Sequence, residues 1–184
     1  VLKYRLIKSE TNDPIKEMYS KASNIGKFAI IAEPVVSMAL KDISTAITYL
    51  RTNAREMKIN PERIGIIGFS AGGTLAAGMA YNYEANTRPA FVAALYPWID
   101  PIKKKKVQND APPIFIAAAS DDQLGFDIGS TEFYLDWAKF NHSAELHLYE
   151  KGGHGFVVNK QGLPVDGWID RFGDWLKFNG FLNK

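Results

Sequence analysis

Arg63-Ile64-Gly65-Ile66-Ile67-Gly68-Phe69-Ser70-Ala71-Gly72-Gly73-Thr74-Leu75 is the stretch that decides the fold of this chain. A short apolar run ends at Phe69, and a run of small residues suited to a helix begins at Ala71. Gly68-Phe69-Ser70-Ala71-Gly72 has the pattern Gly-x-Ser-x-Gly, which sets a serine on a sharp strand-to-helix turn with its hydroxyl exposed. Side chains at Gly68 and Gly72 are expected to collide with the neighbouring strand and helix, and Gly73 adds room. The helix start offers unpaired N–H groups and a positive dipole end near the serine. The Ala71 N–H is therefore the expected oxyanion donor. A glycine-rich turn that merely packs a helix onto a sheet would explain the glycines, but not a serine at the apex.

Outward from the elbow, strand-like and helix-like runs alternate. Upstream, Val36, Leu40, Ile43, Ile47, Leu50, Ala54 and Met57 recur at steps of three and four, which predicts a helix from Pro34 to about Lys58. Residues 8–33 are mixed, with a turn at Asn12-Asp13-Pro14, and Val1–Ile7 alternates as a strand does. Downstream, Ala90–Tyr96, Ile114–Ala119 and Glu145–Tyr149 read as strands. Ile128–Phe140 is an amphipathic helix with Phe133, Trp137 and Phe140 on one side. A last helix over Val165–Phe178 points Ile169, Phe172, Trp175 and Leu176 inward. Such alternation, with nearly continuous apolar strands, predicts an α/β fold: a mostly parallel sheet with helices on both faces. No repeat or linker divides the chain, so residues 1–184 are expected to form one domain.

Composition narrows the function. The 184 residues are 46% hydrophobic and carry 22 Lys and Arg against 20 Asp and Glu, a net charge of +2. That balance gives no general case for nucleic-acid binding. No stretch approaches the roughly 20 apolar residues of a membrane span. With no cysteine, disulfides, thiolate zinc sites and a cysteine nucleophile are excluded. The few histidines lack a convincing metal-ligand spacing, so no metal is expected. The one charge run, Lys103–Lys106, reads as a solvated loop.

A serine needs a base in hydrogen-bond reach and a group to orient that base. The chain has three histidines. His142 falls in a surface turn, and His147 lies inside a strand as a structural residue. His154, in Lys151-Gly152-Gly153-His154-Gly155-Phe156, follows the carboxyl end of a strand, where catalytic groups of parallel sheets gather. It is the expected base. The acid should follow another strand end. Ser120-Asp121-Asp122-Gln123 offers two adjacent carboxylates, and residue chemistry alone leaves the choice open.

These segments together resemble the α/β-hydrolase family, in the esterase/lipase branch of small bacterial acetyl-xylan and feruloyl carbohydrate esterases. The resemblance runs nearly end to end. It includes Val1-Leu2-Lys3-Tyr4-Arg5-Leu6, Ala39-Leu40-Lys41-Asp42, Tyr49-Leu50-Arg51, Ile59–Gly65, the elbow, Tyr96-Pro97 and, most specifically, Glu145–Phe156. The order Ser70, Asp122, His154 is that family's order of nucleophile, acid and histidine. The branch commonly has Asp-Asp-Pro after the acid strand, with the second Asp catalytic. Here Gln123 stands for the proline, and the resemblance favours Asp122 over Asp121. It also implies a serine ester hydrolase acting through an acyl-enzyme on short acyl esters, on small molecules or plant polysaccharide, with no cofactor; the resemblance is compatible with a periplasmic or secreted setting and leaves the compartment open. Phe69, Trp98 and Phe156 are candidates for an acyl pocket, with ordinary packing as the plainer role for each.

The resemblance also sets an expectation of incompleteness. Family members carry further strands before the serine strand, one ending in a glycine-rich turn that gives the second oxyanion N–H. No such turn occurs here, so the chain is expected to be a C-terminal portion, with N-terminal strands missing and an N-terminal segment or second chain completing the sheet. Two other readings follow: a catalytically impaired fragment or scaffold, and a serine peptidase of the related oligopeptidase type.

Overall fold

The structure is a computed structural model that describes residues 1–182. Four strands form one parallel sheet: β1 (Ile66–Phe69), β2 (Val92–Leu95), β3 (Ile114–Ala119) and β4 (Ala144–Tyr149), in the spatial order β1-β2-β3-β4. Among the described residues there are five α-helices: α1 (Pro14–Ala22), α2 (Ile25–Thr52), α3 (Ala71–Tyr81), α4 (Phe126–Ala138) and α5 (Trp168–Phe178). Simple succession of neighbouring strands follows from short crossovers that return each strand parallel to the last.

Strand alternation divides the core in two. Val92, Ala94, Ile114 and Ile116 meet Ala77 and Tyr81 of α3 and Phe133 and Trp137 of α4 on one face. Ala93, Leu95, Phe115 and Ala117 meet Phe172 and Trp175 of α5 on the other. Both faces are covered, which is why the strands read as continuous apolar runs. The small residues of α3 let it lie close to the sheet: a Cβ at Gly73 would come within 2.6 Å of the Leu95 carbonyl oxygen. Leu40, Ile43 and Ile47 of α2 then pack on Leu75 and Met79 of α3.

Four expectations from the sequence need correction. Val1–Ile7 is irregular and joins no strand of the sheet. It is pinned instead by Arg5, whose guanidinium forks onto both carboxylate oxygens of Asp42 and donates to the Met38 carbonyl. Helix α2 starts at Ile25, well before Pro34. The Asn24 side chain caps it by accepting the Lys27 N–H at 3.1 Å. Pro34 removes one helical donor, and the flanking turns, with Ile30 and Ile31 exposed, leave water able to satisfy the freed carbonyl. The same helix ends at Thr52, so Met57 falls in the turns beyond and is exposed. Finally, Phe140 and Ile169 are 52% and 50% exposed rather than inward. Phe140 lies past the end of α4, and Val165, in the 3-10 turn Pro164–Gly167, joins Phe172 in the core on that face.

The lysine run is solvated, as the sequence suggests, but not idle. Lys103, Lys104 and Lys105 approach Glu33, Asp136 and Glu84 at 3.8, 3.4 and 3.4 Å. Lys104 also sits over the Tyr81 ring. Exposed pairs of this kind are worth about 0–1 kcal/mol each. No helix among the described residues is long and apolar enough to cross a membrane.

Candidate active site

Ser70 stands between β1 and α3 with φ +52 and ψ −119, a backbone conformation rarely adopted by a non-glycine residue. The turn is held by the Ser70 N–H to the Leu95 carbonyl at 3.0 Å and the Thr74 N–H to the Ser70 carbonyl at 2.8 Å. Strain of this kind costs on the order of 1–3 kcal/mol and persists only where its surroundings enforce it. Two contacts enforce it here. A Cβ at Gly68 would lie 2.0 Å from the Gly72 carbonyl oxygen, and Gly73 abuts Leu95. Gly72 itself is roomy, its nearest neighbour being the Tyr4 hydroxyl at 3.8 Å. The close approach expected at Gly72 thus belongs to Gly73.

The serine Oγ lies 2.8 Å from His154 Nε2, and His154 Nδ1 lies 2.8 Å from Asp122 Oδ2. Three loops at the carboxyl ends of β1, β3 and β4 bring these residues together. The Asp122 side chain is fully buried and the His154 side chain is 14% exposed. Asp122 also accepts the Leu124 N–H at 2.8 Å through its other oxygen. Buried carboxylates need such partners on both oxygens.

The adjacent carboxylate does different work. Asp121 Oδ1 accepts the backbone N–H groups of Gly152 and Gly153 at 2.9 and 2.8 Å. The Gly153 N–H, foremost, draws the Asp121 pKa below the ordinary carboxylate value against an opposing effect of burial, and Gly152 adds to the lowering. Gln123 Oε1 accepts the His154 N–H at 3.1 Å. Consecutive residues of the acid loop therefore grip consecutive residues of the histidine loop. Gly153 and Gly155, at φ +64 and +84, supply the left-handed turns on either side of His154 that bring its ring to the serine.

Tyr96 and Phe126 join the site without any motif that marks them. Their rings meet the imidazole edge-on at centroid distances of 4.9 and 5.4 Å. Burial, with the Asp122 charge adding, pushes the Tyr96 phenol up to about 12. The one sequence signal is the position of Tyr96 at a strand end before Pro97. Trp98 lies on the wall of a cavity beside Ser70. Phe69 instead packs against Trp168, and Phe156 is buried against Tyr96 and Tyr149, so neither lines it. His142 lies in an exposed turn, and His147 Nε2 pairs with Glu145 at 2.7 Å within β4. Among the described residues no cluster of three or more His, Asp or Glu side chains is suited to a metal ion.

A parallel sheet, a strained serine at the elbow, and an acid and a histidine on later strand ends in that chain order are the arrangement of the α/β-hydrolase fold. The BD-FAE family model matches residues 15–91. An acetylxylan esterase of Xylanibacter ruminicola is 27% identical over 166 residues, an alignment that takes in 74% of this chain. The chain spans 35% of that relative's length. Among solved structures, an acetyl ester-xyloside bifunctional hydrolase from Caldicellulosiruptor lactoaceticus superposes with a TM-score of 0.69 at 25% identity, covering 79% of this chain and 67% of that one. An α/β-hydrolase from a Medee basin deep-sea metagenome library gives 0.68 at 32% identity, covering 79% and 66%.

Proposed function

We propose that the protein is a serine carboxylic-ester hydrolase acting on short acyl esters, carbohydrate esters among them. The reading rests above all on the unbroken Ser70–His154–Asp122 relay, two contacts of 2.8 Å ending on a strained serine. In the first half-reaction His154 Nε2 takes the Ser70 proton as Oγ attacks the ester carbonyl. Asp122 accepts the Nδ1–H, fixes the tautomer and stabilises the imidazolium. The Ala71 N–H, at the start of α3, donates to the oxyanion. Collapse breaks the ester C–O bond, and the alcohol leaves with the proton from His154. Water then attacks the acyl-Ser70 ester with His154 as base, releasing the carboxylic acid and restoring the serine.

The kinship with enzymes named for acetylated xylan supports an ester rather than a peptide substrate. In the full-length protein, Ser70→Ala should lower kcat for 4-nitrophenyl acetate on the order of 10⁶-fold, as loss of the nucleophile does in serine hydrolases. It should also abolish labelling by a fluorophosphonate. Retained turnover in that variant overturns the assignment, and peptide cleavage without ester cleavage would move it to the peptidases.

A further inference from the structure

The loop that carries His154 is also held from a second side, by a segment that no motif marks. The Gly152–Gly153 peptide lies one link before the histidine's own. Its N–H, on Gly153, donates to Asp121 Oδ1 at 2.8 Å. Its carbonyl, on Gly152, accepts Nε2 of Gln161 at 2.7 Å. The C=O and N–H of a trans peptide point in opposite directions. The two side chains therefore grip opposite edges of one plane.

A grip on both edges matters because of what flanks this peptide. It joins two glycines, and Gly153 sits at φ +64. With no Cβ on either side, turning the plane over meets little steric resistance. A half-turn would swing the Gly152 carbonyl towards the Asp121 carboxylate and redirect the chain entering His154. Side-chain partners, rather than backbone sterics, thus decide the orientation.

Gln161 is itself braced. Both oxygens of Asp166 accept the Gln161 N–H at 3.0 Å, and Oδ2 also accepts the Gly162 N–H at 2.8 Å. Asp166 follows Val165, whose side chain is wholly buried in the core. A Cβ at Gly152 would lie 3.1 Å from Val165, so the same turn packs on the glycine it helps to hold. A line of contacts runs from Val165 in the core, through Asp166 and Gln161, to the peptide ahead of His154.

We propose that Gln161 is a positioning residue for His154: its carboxamide, braced by Asp166, fixes the Gly152–Gly153 peptide in the orientation that presents the imidazole to Ser70. The catalytic consequence rests on the esterase reading of Ser70. The acid loop after β3 holds one edge of the peptide, and residues 161–166 hold the other.

Gln161 is exposed, so its substitution leaves the core untouched. In the full-length protein, Gln161→Met keeps the reach of the side chain and removes the donor. It should lower kcat for 4-nitrophenyl acetate about fivefold, the worth of one net hydrogen bond, with KM nearly unchanged. Counting active sites by fluorophosphonate labelling keeps misfolded protein out of kcat. Gln161→Lys, which can still donate to the Gly152 carbonyl, should recover most of the rate. Asp166→Ala should lower kcat by a similar factor but add nothing to Gln161→Met, because it acts through the same side chain. Amide hydrogen exchange over residues 152–155 should quicken in Gln161→Met, as the loop opens more often. An unchanged kcat in Gln161→Met overturns the clamp and leaves the esterase standing. A loss that Gln161→Lys shares in full, or a further drop in the double variant, does the same. Absence of ester turnover in the parent protein overturns the esterase reading instead. Amide exchange then decides the clamp alone: quickened exchange in Gln161→Met supports it, and unchanged exchange overturns it.

Discussion

Asp121 Oδ1 takes the Gly153 backbone N–H at 2.8 Å, one residue before the histidine that the neighbouring carboxylate orients. The two acidic residues thus act on one loop in different ways. Asp122 meets the imidazole, and Asp121 holds the backbone that carries it. Losing the Asp121 oxygen frees the Gly152 and Gly153 N–H groups, and some of that loss should appear as misplacement of His154. We expect Asp121→Ala to lower kcat for 4-nitrophenyl acetate about tenfold with KM nearly unchanged. Asp121→Asn keeps a side-chain oxygen to accept both N–H groups and should restore most of the rate. Steady-state kinetics of the two variants decide it, since a purely structural role for Asp121 would lower the folded fraction without changing kcat per active site.

The same contact has a pH signature. The Gly153 N–H lowers the Asp121 pKa in the folded protein below its value of about 3.9 in an unfolded chain. A carboxylate lowered in this way stabilises the fold fully above the unfolded pKa, and the contribution fades as pH falls through the folded one. The thermal midpoint of the protein should exceed that of Asp121→Asn by a steady margin from about pH 5 to pH 8, and the margin should narrow below about pH 4. Thermal melts across that range check it. A margin undiminished at low pH would assign the stabilisation to something other than the Asp121 charge.

The elbow glycines should respond unequally, although the sequence pattern treats Gly68 and Gly72 alike. A methyl at Gly68 would strike the Gly72 carbonyl at 2.0 Å, and one at Gly73 the Leu95 carbonyl at 2.6 Å. Both obstacles are backbone, so relief requires moving α3 off the sheet. A methyl at Gly72 meets only the Tyr4 hydroxyl at 3.8 Å. Gly68→Ala and Gly73→Ala should lose about 1–3 kcal/mol or more of stability by overpacking, and their activity with it. Gly72→Ala should melt within a few degrees of the parent protein. Thermal denaturation of the three variants measures the difference.

Much of this site is legible in the sequence because its chemistry is local along the chain. Gly-x-Ser-x-Gly after an apolar run specifies a turn, and glycines around His154 specify a loop able to reach it. The helical stripe from Leu40 to Ile47 specifies a packing face in the same way. The features that escape such a reading depend on neighbours distant along the chain. Val1–Ile7 alternates like a strand, but pairing needs an edge, and periodicity cannot supply one. Helix α2 passes through Pro34 because its exposed turns tolerate a missing donor, a fact about burial rather than propensity. Asp121 and Gln123 acquire their roles only when β3 and β4 lie side by side, with Ala119 in register with Tyr149. Tyr96 likewise becomes a wall of the imidazole through the crossing of loops.

The three histidines permit a last prediction, in which chemistry and packing separate cleanly. His154 contacts Ser70 and Asp122 through its two ring nitrogens, so no other side chain can replace both functions. His154→Ala should remove nearly all turnover while leaving the fold intact, because its 14% exposed ring fills a loop rather than the sheet core. His147 lies on edge strand β4, with its ring against Phe115 at 5.3 Å and its Nε2 on Glu145. His147→Gln retains a polar partner for Glu145 and sits away from Ser70, so kcat should hold within about twofold. Its thermal midpoint should drop by a few degrees at most, as for a partly exposed substitution. Kinetics and melts of the pair test the assignment directly. A large loss of kcat in folded His147→Gln, or near-normal turnover in His154→Ala, would mean that the base is not the histidine beside Ser70.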